Sequence, residues 1–88
     1  AFDKSAVMYG YLNGQLYDGS IDNLYGAVDA LGGDENTQTK IDVLSVEGTV
    51  ASVRVTLEGW HGLAFTDYHT LLKIDGEWKI AAKVFHQF

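Results

Sequence analysis

Residues 49–58 (TVASVRVTLE) alternate between apolar and polar side chains. Ala51, Val53, Val55 and Leu57 fall on one face, and Ser52, Arg54, Thr56 and Glu58 on the other. A period of two marks a half-buried strand, because successive side chains leave opposite faces. The same reading predicts strands over 37–47 (TQTKIDVLSVE), 64–74 (AFTDYHTLLKI) and 77–86 (EWKIAAKVFH). In the last of these, Trp78, Ile80, Ala82 and Val84 are expected to face one way, with Lys79 and Lys83 opposite. Glu47-Gly48-Thr49 and Asp75-Gly76 are tight-turn signals, while Gly59–Leu63 (GWHGL) interrupts the alternation. Upstream, two β-prone runs at 6–12 and 15–18 flank Asn13-Gly14, the strongest short-range hairpin signal.

The stretch after Gly19-Ser20 has another period. Ile21, Leu24, Tyr25, Val28 and Leu31 recur at spacings of three and four, which predicts a helix. Ser20 can cap it, Asp22 suits the positive end of its dipole, and Gly32-Gly33 stops it. The order is therefore β-β-α-β-β-β-β. The last four strands are expected to form an antiparallel meander, since strands joined by short turns usually pair. One helix packs on one face, and the rest of a long sheet needs further cover.

Composition narrows the classes. A chain of 88 residues is one domain. It is 47% hydrophobic, with 2 Trp, 5 Tyr and 4 Phe, which points to a packed core rather than disorder. It has no cysteine, so a disulfide framework and thiolate metal sites are excluded. The net charge is -6, and the single Arg and the lysines are scattered, so no surface tracks nucleic-acid phosphates. No segment reaches about 18 apolar residues, the length that crosses a membrane as a helix. The start, AFDKSA, is neither a signal peptide nor a translational start. A soluble, cytoplasmic chain is the expectation, although no residue pattern fixes the compartment.

Several segments carry a resemblance. Val46-Glu47-Gly48 with Val50–Val55, then Phe65-Thr66-Asp67-Tyr68-His69 through Leu71–Ile80, and the tail Lys83-Val84-Phe85-His86 resemble the lumazine-binding family, a branch of the NTF2-like (SnoaL-like, ketosteroid-isomerase-like) superfamily. The opening Tyr9–Gly14 (YGYLNG) and the helix after Asp18-Gly19 are similar too. The resemblance implies an α+β cone: a curved, mostly antiparallel sheet with a helix packed on it and a pocket inside. It also implies that residues 1–88 are one such domain lacking its N-terminal helices. The aspartate base and tyrosine of the isomerase relatives lie partly on those segments, so no catalytic residue is carried over.

Candidate chemistry comes from the residues themselves. Asp67 and His69 lie two apart on one predicted strand and so share a face. Such a pair can orient an imidazole for acid–base work, or form a cross-strand polar network. His86 on the last strand could join them, but two ligands on one strand make a weak metal signal, and neither metal nor cofactor is expected. His61, in GWHG, reads as a pocket-rim imidazole beside Trp60 or as a surface bulge. Trp60 can stack on a flat ligand or pack in a core. Tyr68 faces away from Asp67 and His69, and Tyr9 and Tyr11 share a face of the first strand. Their hydroxyls can bind a polar ligand, or their rings can simply pack. Gly-x-Ser-x-Gly, phosphate-loop and dinucleotide signatures are absent.

Three readings follow. The first is a pocket protein for a flat or apolar organic molecule, with Tyr9, Tyr11, Trp60, Tyr68 and His86 as ligand contacts. The second is an isomerase, dehydratase or cyclase using Asp67, His69 and His61. The third is a non-catalytic dimerisation module. A two-fold homodimer is expected through the convex face of the sheet, near the odd-numbered side chains of 51–57 or the even-numbered ones of 78–84.

Overall fold

A computed structural model describes residues 2–22 and 36–88. They form one six-stranded sheet: β1 (Phe2–Leu12), β2 (Gln15–Tyr17), β3 (Gln38–Glu47), β4 (Val50–Trp60), β5 (Leu63–Ile74) and β6 (Glu77–Gln87). The spatial order is β2-β1-β6-β5-β4-β3. The meander β3 to β6 is antiparallel throughout, and β1 joins it by pairing parallel with β6. Asn13 and Gly14 both have positive φ at the β1–β2 hairpin, as do Asp75 and Gly76 between β5 and β6. That is the two-residue turn for which Asn-Gly and Asp-Gly are suited.

The α+β cone is overturned. Every element within the described residues is a strand, with helix only at the single residue Asp22, and the sheet is open. Its edges are the three-residue β2 and the ten-residue β3, which do not pair with each other, so among the described residues the sheet is not closed. The helix expected over 20–31 falls, beyond Asp22, outside the described residues. At its start the Asp22 N–H donates to Ser20 Oγ at 3.1 Å, the bond a capping serine makes. Just before it, the Met8 N–H donates to the Gly19 carbonyl, and the Ile21 N–H to that of Ala6. These bonds fold the chain back along the edge of β1.

Register divides the sheet into two faces. One carries, in a row across five strands, Met8, Lys83, His69, Val53 and Val43, and in the next row Gly10, Phe85, Asp67, Val55 and Ile41. We call this the pocket face. The back face carries Tyr9, Val84, Tyr68, Arg54 and Asp42 in one row. Ala6, Met8 and Ile21 are buried, with Phe2, Tyr17 and Phe85 packed against them. Gly10 permits this packing: a Cβ there would lie 2.5 Å from the Phe85 ring.

The register shifts in four places among the described strands, and two of these shifts bear on the site. In β6, Ala82 pairs with Thr70 but Ile80 pairs with Leu71, so Ala81 is an extra residue. An extra residue reverses the faces beyond it. Ala82 and Val84 therefore lie on the back face, whereas Ile80 and Trp78 pair with pocket-face residues. Trp78, Ile80, Ala82 and Val84 do not form one set as the plain alternation predicts. In β4, Gly59 (φ 76°) interrupts the register between Glu58 and Trp60. This brings Trp60 to the same face as Leu57.

Candidate functional site

A hollow of about 80 Å³ opens on the pocket face, lined among the described residues by Leu12, Leu57, Trp60, Phe65, Asp67, Lys83 and Phe85. Its wall is aromatic. Trp60 and Phe65 have ring centroids 6.1 Å apart, and Phe65 meets Phe85 edge-on at 6.0 Å. Such geometry suits rings that pack tightly through their edges. Two charged groups, Asp67 and Lys83, interrupt that wall.

Their placement follows from the strands. Asp67 sits across from Phe85 on one side and Val55 on the other, and His69 sits across from Lys83. Asp67 is 8% exposed. Its Oδ2 lies 3.4 Å from Lys83 Nζ and 3.7 Å from His69 Nε2. The Asp67, His69 and Lys83 side chains each keep only 12% of their exposure. A carboxylate removed from water needs a partner, and the lysine supplies it. His69 Nε2 is buried and has no hydrogen-bond partner among the described residues. The ring itself rests against Phe2 at 5.8 Å. A carboxylate and an ammonium thus stand in the wall of an apolar hollow, with a buried imidazole beside the carboxylate that does not itself line it. That set can hold a polar atom of a ligand and move a proton to or from it.

Residues 1–86 match the family described as "Putative lumazine-binding". The chain belongs to this family. Among solved structures, an NTF2-like protein of unknown function from Methylobacillus flagellatus KT is 40% identical, with a TM-score of 0.96 over 100% of this chain and 71% of that one. Another NTF2-like protein of unknown function, from Shewanella baltica OS155, is 30% identical, with a TM-score of 0.88 over 100% of this chain and 73% of that one. Among curated proteins, Aldolase FrzH of a Cladobotryum species is 32% identical across 99% of this chain and 70% of its own length.

Within this member of the lumazine-binding family, the site candidates divide by face. Asp67, His69 and Trp60 lie on the pocket face. His61 stands in the β4–β5 turn with φ 49°, exposed and edge-on to Trp60 at 5.1 Å. It does not line the hollow. Tyr9, Tyr11, Tyr68 and His86 lie on the back face, where Tyr68 and His86 share a wide depression with Lys40, Asp42 and Arg54. Hydrogen bonding to Tyr68, and then to Asp42, holds the Arg54 guanidinium above its ordinary value. His86 pairs across from Thr66, not Asp67, so it does not converge with the Asp67–His69 pair. Among the described residues, no cluster suits a metal ion. Nor is any helix among them long and apolar enough to cross a membrane.

Lys83 is the residue the pattern analysis missed. Plain alternation sets it with Lys79, opposite Trp78, Ile80, Ala82 and Val84, because it counts β6 straight through Ala81. The signal was available: Lys83 and Phe85 share a parity, and Phe85 is a large aromatic that a solvated face would not favour.

Proposed function

We propose that the hollow binds a small carbonyl compound and that Asp67 and His69 move a proton at the carbon beside the carbonyl. The observation that carries this reading is the convergence of Asp67, His69 and Lys83 beside an aromatic wall. A carboxylate beside the substrate can accept a proton, and an imidazole next to it can carry the proton onward. An oxygen that gains negative charge as the α-proton leaves is stabilised by a nearby cation. Trp60, Phe65 and Phe85 supply the apolar surface for the rest of the molecule. The curated relative named as an aldolase supports this choice, since forming or breaking an aldol bond begins at the same α-carbon. Isomerase and dehydratase chemistry share that first step and stay within the reading.

Solvent exchange tests it directly. The full chain is incubated in D₂O with simple ketones, including cyclohexanone and acetophenone, and α-deuteration is followed by NMR. Enhanced exchange with at least one ketone is expected, falling by about 100-fold or more in Asp67→Asn. Exchange no faster than buffer across the set, with a folded protein, sinks the proposal.

A further inference from the structure

Of the five lysines, four lie outside the hollow. Lys4, Lys40 and Lys73 are exposed, and Lys79 is partly exposed and reaches Glu77 at 3.3 Å. Lys83 alone lines the hollow, with Nζ 5.5 Å from the Phe85 ring centroid and 3.4 Å from Asp67 Oδ2. Strand β6 is paired on both sides, by β1 and β5, which fixes the backbone from which this lysine projects. A surface ion pair needs none of this. An amine on a rigid strand, lining an apolar hollow and next to a carboxylate through which a proton can be relayed, has the placement of a nucleophile.

We infer that Lys83 forms an imine with the carbonyl compound, so that the proton is moved on a covalently held substrate. The inference rests on the proposed carbonyl reading and goes beyond it. Asp67 takes one proton from the Lys83 ammonium. The freed amine lone pair attacks the carbonyl carbon, the π pair moves to oxygen, and an N–H proton is transferred to that oxygen to give a carbinolamine. Asp67 returns its proton to the hydroxyl, which leaves as water while the nitrogen lone pair forms the C=N bond. The ammonium and carbonyl have become an iminium and one water, with charge conserved and no oxidant or reductant used. The iminium then withdraws electrons from the α-carbon, where His69 and Asp67 act. Hydrolysis by one water restores the amine.

Reductive trapping decides the matter. The full chain is treated with acetone, cyclohexanone or benzaldehyde plus sodium borohydride, digested, and mapped by mass spectrometry. The expected result is an adduct at Lys83 about tenfold or more above that at Lys4, Lys40, Lys73 or Lys79. Even labelling of all five lysines, or none at Lys83, overturns the inference. Lys83→Arg keeps the cation beside Asp67 and removes the nucleophile. It is expected to keep the wild-type melting profile and lose both the adduct and most of the α-exchange. Lys83→Arg exchanging within about twofold of wild type overturns the imine while leaving the acid–base reading intact. Should Lys83→Arg fail to fold, the wild-type labelling pattern alone decides. Trapping at Lys83 with no α-exchange upholds the imine and removes the proton-transfer reading instead.

Discussion

At the scale of single residues, Asp67 illustrates how a buried charge ties the interior together. Its carboxylate reaches two neighbours, Lys83 across the sheet and His69 along its own strand. Removing one partner of a buried pair costs about 3–5 kcal/mol, because the other is left without compensation. The residual exposure here lowers that figure, so Lys83→Met is expected to destabilise the chain by about 2–3 kcal/mol. Asp67→Asn combined with Lys83→Met should cost less than the sum of the single changes, because neither group is then left charged and alone. Urea denaturation of the two single variants and the double variant measures this coupling. Additive costs would mean that the two side chains do not interact in solution, and the site would lose its central contact.

At the scale of elements, the strands were legible and the faces were less so. Alternation in 49–58 and the turn dipeptides placed all six strands within a few residues, because period and turn chemistry are local properties. The partnering of β1 with β6 was not legible, since parallel pairing joins residues far apart in the chain and leaves no local mark. Asp67 and His69 were read together because two residues apart on a strand always share a face. Lys83 was missed because one extra residue at Ala81 reverses the faces on either side of it, and an alanine carries no bulge signal. Gly59 does carry such a signal, with φ 76° and the Asn36 carbonyl oxygen only 2.7 Å from where a Cβ would sit. Gly76 has φ 80° but open space around it. Alanine at either position costs about 1–2 kcal/mol for the left-handed backbone alone. Gly59→Ala is expected to cost more than Gly76→Ala by about 1 kcal/mol or more, because backbone atoms must move apart. It should also shift Trp60 and weaken ligand binding in the hollow. Equal melting temperatures for the two variants would show that the bulge relaxes without loss.

At the scale of the whole molecule, the back face asks for a partner. Tyr9, Val84 and Tyr68 form a cross-strand row, flanked by Tyr11, Leu16 and Val7, and each of these side chains is exposed. Monomeric proteins seldom leave so large a contiguous apolar patch facing water. A homodimer formed through this face is the expected outcome. The odd-numbered set of 51–57 is excluded from it, lying beside Asp67 and His69, and of the even-numbered set 78–84 only Ala82 and Val84 belong there. Arg54 and Asp42 end the row and pair with each other at 3.4 Å, with Lys40 4.0 Å from the same carboxylate. Two copies of a chain of net charge -6 repel one another at long range. Salt screens that repulsion within a Debye length of about 10 Å at 0.1 M, so the dimer should tighten as salt rises. Sedimentation equilibrium of the full chain at low and high salt is the measurement. Tyr68→Glu with Val84→Asp places two carboxylates in the centre of the patch and is expected to yield a monomer at tens of micromolar while trapping at Lys83 continues. That last combination separates the two faces, because the hollow lies on the opposite side of the sheet. A wild-type chain that stays monomeric at both salt concentrations would mean that the aromatic row is not a subunit contact.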